Sequence, residues 1–393
     1  MVKKGFLKYR LLLIPVIITV FICGFFIYSK RAQAISIHAC DHVGDGRQDK
    51  EAVQQHCWER MVQDTVQKQG IDPALTLIST LYNSSPSFTA SCHGYAHKIG
   101  EQAYRLFVRK IPFAVTDKTK YCGYGFFHGF LEYLLNGTKD LTLARAFCDK
   151  LGVDMPKTGA RGNCYHGIGH GMSDPHDPSL DGDAQTTATR ALNVCEKVTG
   201  VKSGSNESES CIGGVFNETA RDFYEQRRGL KLDNDDPLAF CRDQEKVFQP
   251  ICYYEFAMTL RQATRDDYPK AFRMVSAIED DENAGQAVKA LASILVSDIT
   301  KYDPVAGLGY CHGLRESLRV PCFRGITVGY VQHGQPEKEY IVALQFCHHP
   351  LLKTEERKMC YQYILNDLRS MYTEEKYSTI CKSVDVEYQQ YCR

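Results

Sequence analysis

The sequence predicts an all-α fold: a disulfide-braced array of helical hairpins, α-solenoid-like, behind an N-terminal transmembrane anchor. Three observations carry this expectation. Cysteines recur in two alternating contexts, apolar residues recur at helical spacing between them, and one long uncharged apolar run opens the chain. Alternating strand-like runs are scarce, with "AISIHA" at 34–39 the only weak one.

The chain begins with a basic segment, "MVKKGFLKYR", followed by the apolar run "LLLIPVIITVFICGFFIY" at 11–28, which is 18 residues long. About this length is the minimum for a helix to span a bilayer. Basic residues are denser before the run than after it, so the N-terminus is expected in the cytoplasm and the rest of the chain outside it. Residues 1–34 therefore read as a cytoplasmic tip and signal-anchor, through which the chain contacts the membrane. Ala32-Gln33-Ala34 also fits a small-x-small cleavage site, which would instead give a chain secreted after cleavage near Ala34. The remainder divides into an N-terminal helical region at 35–90, a His/Gly/Cys-rich helical section at 91–220 and a disulfide-stapled helical section at 221–393.

Lysine plus arginine and aspartate plus glutamate are balanced at 47 each, and no long basic run follows the N-terminus, so no nucleic-acid partner is expected. Of 17 cysteines, Cys23 lies in the apolar run, which leaves 16 in the exported part. No C-x-x-C pair occurs, which removes the usual signature of zinc ribbons, iron–sulfur centres and thioredoxin-like sites. Many dispersed cysteines without that pattern suit disulfides in an oxidising compartment. Four N-x-S/T sequons, at Asn83, Asn136, Asn206 and Asn217, are compatible with a secretory route.

The cysteine contexts are repetitive. One context closes an apolar helical segment: "ARAFC" at Cys148, "ALNVC" at Cys195, "PLAFC" at Cys241, "VALQFC" at Cys347 and "STIC" at Cys381. The other opens a segment: "CYHGIGHG" at Cys164, "CIGGVFNE" at Cys211, "CYYEFAMTL" at Cys252, "CFRGITVGY" at Cys322 and "CYQYILNDL" at Cys360. A unit of helix, cysteine, loop, cysteine, helix follows, with each disulfide stapling a hairpin near its turn. The expected pairs are Cys148–Cys164, Cys195–Cys211, Cys241–Cys252, Cys311–Cys322, Cys347–Cys360 and Cys381–Cys392, with Cys40–Cys57 and Cys92–Cys122 as the default for the rest. Local chemistry agrees: Asp140 is placed to cap a helix that Gly152 stops, Pro237 suits a first turn, and Asn136-Gly137 suits a left-handed exit.

Five of the 13 histidines fall in three consecutive opening segments: His93 and His97, His128, and His166 and His170. Aligned on cysteine, His128 and His170 both lie six residues after it, Glu132 and Asp174 ten after, and Gly125 and Gly167 three after. Gly214 and Gly325 keep that glycine in later segments, where the histidine position holds Asn217 and Val328. Residues four apart share a helix face, so His93, His97 and Glu101 form one line, His166 and His170 another, and His128 with Glu132 a third. Three such helices around one groove would gather His93, His97, His128, His166 and His170 as ligands for zinc, iron, copper or manganese. Glu101, Glu132 and Asp174 would then serve as ligands or general bases.

Glycine is unusually dense around these histidines, and each glycine inside a helix costs about 1 kcal/mol relative to alanine. Close approach of helix backbones, or of a ligand, would offset that, whereas a loop at "HGIGHGM" would weaken the shared-face argument. The other histidines read as ordinary: His38, His42, His56, His176, His348 and His349 as surface or core residues, and His312 and His333 as structural. The acidic loop at 173–185 lacks EF-hand spacing. No Gly-x-Ser-x-Gly elbow, phosphate loop, dinucleotide fingerprint, HExxH helix or haem-attachment motif is present. The expected function is a membrane-anchored, extracytoplasmic metal-dependent hydrolase or oxidase. The alternative is a non-enzymatic scaffold binding a protein or peptide on its repeat surface.

Overall fold

A computed structural model describes Cys40 and residues 50–82, 86–156, 158–173, 178–297 and 304–392. The expected anchor at 11–28, the strand-like run at 34–39, the cleavage motif, Asn83 and Asp174 lie outside the described residues. Among the described residues there is no strand, and no helix is long and apolar enough to cross a membrane. The chain forms two units, 1–61 and 62–393. The first holds the Cys40–Cys57 disulfide. The second holds the other seven.

The described residues form 17 α-helices. They are α1 (Lys50–Gln69), α2 (Ile71–Leu81), α3 (Pro86–Val108), α4 (Gly125–Thr138), α5 (Leu141–Asp154) and α6 (Ala160–Ser173). Then come α7 (Ala184–Thr199), α8 (Asn206–Tyr224), α9 (Ala239–Arg242), α10 (Gln249–Ala263), α11 (Tyr268–Ser276) and α12 (Asp281–Leu295). The last are α13 (Pro304–His312), α14 (Glu316–Gln332), α15 (Glu339–Cys347), α16 (Thr354–Met371) and α17 (Glu374–Lys382).

In the second unit, α3, α4, α6, α8, α10, α12, α14 and α16 pack in succession, each against the next. The intervening helices lie alongside: α5 on α6, α7 on α8, α9 on α10, α11 on α12, α13 on α14, α15 on α14 and α16, and α17 on α16. The row is curved enough that its ends meet. The Tyr82 hydroxyl donates to the carbonyl of His333, Lys120 donates to the carbonyl of Met371, and the Tyr121 hydroxyl donates to Glu337 Oε1 at 2.8 Å.

Burial explains the apolar residues that make up most of α4. It lies between α3 and α6, and Phe126, Phe127, Phe130, Leu131, Leu134 and Leu135 are all buried. Each such side chain contributes about 1.5–3 kcal/mol when removed from water. The recurrent glycine has an equally direct cause. A Cβ on Gly125 would lie 2.5 Å from the carbonyl oxygen of His93, and one on Gly167 would lie 2.8 Å from that of Phe127. On Gly214 the distance would be 1.9 Å to His166 O, and on Gly325 2.2 Å to Lys289 O. The glycine three residues after cysteine is therefore where one helix of the row rests on the backbone of its neighbour.

The eight disulfides join the expected partners. The staples sit deeper in the helices than expected, because α5 runs on past Cys148 to Asp154. Asp140 caps α5 by accepting from the Leu143 amide at 2.9 Å. Gly152 does not stop that helix. It lies inside the last turn, where its missing side chain leaves room for Arg161. The left-handed exit of α4 falls on Lys139 rather than on Asn136-Gly137, since the helix continues through Thr138. Pro237 precedes a helix of only one turn, α9, so its segment is mostly turn. After Cys381 the chain ends in a 3-10 turn, Gln389–Cys392.

Candidate metal centre

Residues 160–173, including "HGIGHGM", are helical throughout, so the shared-face argument holds for His166 and His170. Packing of α3 on α4 and of α4 on α6 then gathers the five predicted histidines into one cluster. His93 Nε2 lies 3.1 Å from His97 Nε2 and 3.3 Å from His128 Nδ1. His166 Nε2 lies 3.2 Å from His170 Nε2. Two triads result, His93–His97–His128 and His128–His166–His170, and within each the ligand nitrogens all lie within 4.8 Å of one another.

These spacings fit a metal ion. Imidazole nitrogens bind zinc at about 2.0–2.1 Å, and the edge of a tetrahedron with such bonds is about 3.3 Å. The shortest separations in both triads are close to that edge. The packing that holds them is backbone-fixed: Gly125 and Gly129 rest on the carbonyls of His93 and His97, and Gly214 rests on that of His166.

The outer nitrogens are anchored, which directs the inner ones at the cluster. His93 Nδ1 donates to the carbonyl oxygen of Cys122 at 2.8 Å. That carbonyl is presented by three consecutive left-handed residues, Cys122, Gly123 and Tyr124. His170 Nδ1 donates to Glu218 Oε2 at 3.0 Å. With their protons on Nδ1, both rings offer a lone pair from Nε2. A carboxylate behind a ligating histidine is a recurrent outer-sphere arrangement. His128 is 5% exposed, and its Nε2 is buried with no hydrogen-bond partner in the protein. An orphaned buried nitrogen carries a desolvation cost, which coordination would remove.

Desolvation keeps His93, His97, His128 and His166 neutral. Desolvation pushes the His93 imidazole down to about 4, with the nearby His170 and Arg221 adding to it against the Cys122 hydrogen bond. Desolvation, then neighbouring histidines, hold His97, His128 and His166 well below the ordinary imidazole value. Neutral imidazole is the metal-binding form. Burial alone would raise the Glu218 carboxyl, but the His170 hydrogen bond and the Arg221 and Arg227 guanidiniums bring it down to about 2. A negative charge is thus held behind the second triad. Replacing Glu218 by Gln is expected to weaken zinc or copper binding about 10–100-fold, measured by chelator competition, with the helical circular dichroism unchanged.

The predicted carboxylates are placed differently. Glu132 Oε2 lies 3.9 Å from His97 Nδ1, so its neighbour is on α3 rather than one turn back at His128. Glu101 pairs with Arg105 at 2.5 Å and Lys98 at 3.7 Å and joins neither triad. Asp174 is outside the described residues. Sequence reasoning missed Glu218 and Glu255. Glu255 is buried, accepts from Asn217 Nδ2 at 2.7 Å and lies close to the second triad. A Cβ on Gly213 would meet both its Oε1, at 3.1 Å, and His166 Nδ1, at 3.3 Å. Burial pushes its carboxyl up to about 7, against the Asn217 hydrogen bond and the Lys289 charge.

A cavity of about 850 Å³ opens onto the cluster, within the range of small-molecule sites. His93, His128, His166, Asn217 and Glu255 line its histidine side. Tyr254, Met258, Ile294 and Gln332 contribute elsewhere. His97 and His170 are not part of the lining. No family model, curated protein or solved structure matches the chain.

Proposed function

We propose that the protein is an extracytoplasmic metalloenzyme, tethered by its N-terminal apolar segment, that hydrolyses a small molecule held in the cavity. The observation carrying this reading is the convergence of His93, His97 and His128, with ligand nitrogens all within 4.8 Å of one another, beside a cavity that Glu255 also lines. Eight disulfides support the oxidising compartment. The alternating succession of helices supports the hairpin-array reading of the fold.

The donor set is all nitrogen, which suits zinc, copper or iron and disfavours manganese, a metal that prefers oxygen ligands; zinc and copper are the two tested below. Three imidazoles beside a cavity match the ligand count of catalytic rather than structural zinc. Such an ion supplies Lewis acidity and brings the pKa of a coordinated water to about 7. The chain's own residues do the rest. His93 and His128 face the cavity from the ligand set. The Cys122 carbonyl fixes the His93 ring. Glu255 accepts and returns a proton near neutral pH, oriented by Asn217.

Elemental analysis of the purified, extensively dialysed chain tests this. At least one equivalent of zinc or copper is expected in the wild type, and none at the first triad in a His97→Ala/His128→Ala variant. Glu255→Gln should keep its metal while losing hydrolysis of an activated ester by about 100-fold or more. A folded wild-type chain that takes up neither metal would overturn the reading and favour the scaffold that binds a protein or peptide.

A further inference from the structure

A single tetrahedral ion uses four ligands at most, yet five imidazoles converge here. An ion in the first triad would leave His166 and His170 facing each other at 3.2 Å, with Glu218 still directing the His170 lone pair inward. The ring shared by both triads is His128. Its Nδ1 lies 3.3 Å from His93 Nε2, on the first-triad side. Its Nε2 is the buried atom with no partner. The His128 ring is edge-on to His93 and His97, with interplanar angles of 61° and 80°, and is inclined by only 32° and 28° to His166 and His170. Centroid separations of 4.7 and 5.2 Å place it beside both rings of the second triad.

We propose that the cluster is a dinuclear centre in which His128 bridges two transition-metal ions through its two ring nitrogens. One ion takes His93, His97 and His128 Nδ1, and the other takes His128 Nε2, His166 and His170. This rests on the metal reading above and adds a second ion and a bridge to it. Neutral His128 carries one N–H proton, so bridging releases that proton to solvent and leaves an imidazolate between the two cations. The bridge accounts for a ring that is buried without a partner at one nitrogen. It also fits Glu218, whose Oε2 holds the His170 ring with Nε2 turned to the second triad while its Oε1 pairs with Arg221 and Arg227. His93 and His166, one from each triad, both line the cavity, so each half of the centre adjoins it.

Copper(II) titration of the full, metal-stripped chain tests the proposal by stoichiometry and by electron paramagnetic resonance. Two copper ions per chain are expected, with low-temperature signal intensity well below that of two isolated ions, because an imidazolate couples their spins. His97→Gln and His170→Gln each remove a ligand from one triad only. Each should hold one copper with the full signal of an isolated ion, and neither depends on the other variant's folding. One copper in the wild type, or two with full uncoupled intensity, would overturn the bridge while leaving a mononuclear enzyme standing. No bound copper, with zinc binding also absent, would overturn the metal reading itself.

Discussion

Gly214→Ala should destabilise the protein by about 3 kcal/mol or more, or prevent folding, as read by denaturant unfolding. The added methyl would lie 1.9 Å from the carbonyl oxygen of His166 and 3.0 Å from the His170 amide nitrogen. Neither is the end of a flexible side chain, so α6 and α8 would have to separate. That displacement moves two histidines of the cluster, and metal affinity should fall together with stability. Gly94→Ala is the matched control. Gly94 lies in α3 next to His93, and its Cβ would meet nothing within 4 Å. Removing a helical glycine there should raise stability by about 0.5–1 kcal/mol. Opposite signs from two glycine-to-alanine changes would separate helix contact from helix propensity.

The metal-free protein should lose stability steadily as pH falls below 6.5. The unfolded chain takes up protons on its histidines from about 6.5 downward. In the folded chain desolvation holds His93 at about 4, and His97, His128 and His166 lie well below the ordinary value. The unfolded state therefore binds more protons throughout that window, and stability rises with pH. The contribution is fully present above 6.5 and is lost as pH falls through the folded values. Each such group accounts for up to about 1.4 kcal/mol per pH unit, less where the ring is wet on its cavity side, as His93 is. Denaturant unfolding at pH 7.5, 6 and 5 measures the slope. Zinc at a thousandfold excess over its dissociation constant should add about 4 kcal/mol at neutral pH, and that increment should shrink on acidification.

The sequence made some of this legible and hid the rest for definable reasons. The cysteine pairing could be read because the same contexts recur, so each pair supports the others. The five histidines could be read because helical spacing and a common cysteine frame put them in register. The carboxylates could not. Expecting an acid four residues along the same helix pointed to Glu101, whose charge is taken up by Arg105 and Lys98. The acid behind His170 comes instead from the next helix in the row, and such a partner depends on how two helices are set side by side. Its trace in sequence was slight: Glu218 follows Asn217, which occupies the histidine position of "CIGGVFNE". Glu255 left a clearer mark. It stands three residues after Cys252, where four other segments carry glycine. A carboxylate at a position that holds glycine or, as Tyr95 and Tyr363, tyrosine in the other opening segments is a departure that the frame itself exposes.

The Cys92–Cys122 bridge has a consequence for how the protein is made. Both cysteines line the cavity, and each adjoins the first triad, Cys92 through His93 in sequence and Cys122 through the carbonyl that holds His93. Before the bridge closes they are thiols, and thiolates are ligands that copper(I) and zinc favour. An ion arriving before oxidation would find sulfur donors beside the imidazoles and would hold the two cysteines apart. On the metal reading proposed above, closing the bridge first removes those sulfur donors and leaves the imidazoles as the ligands.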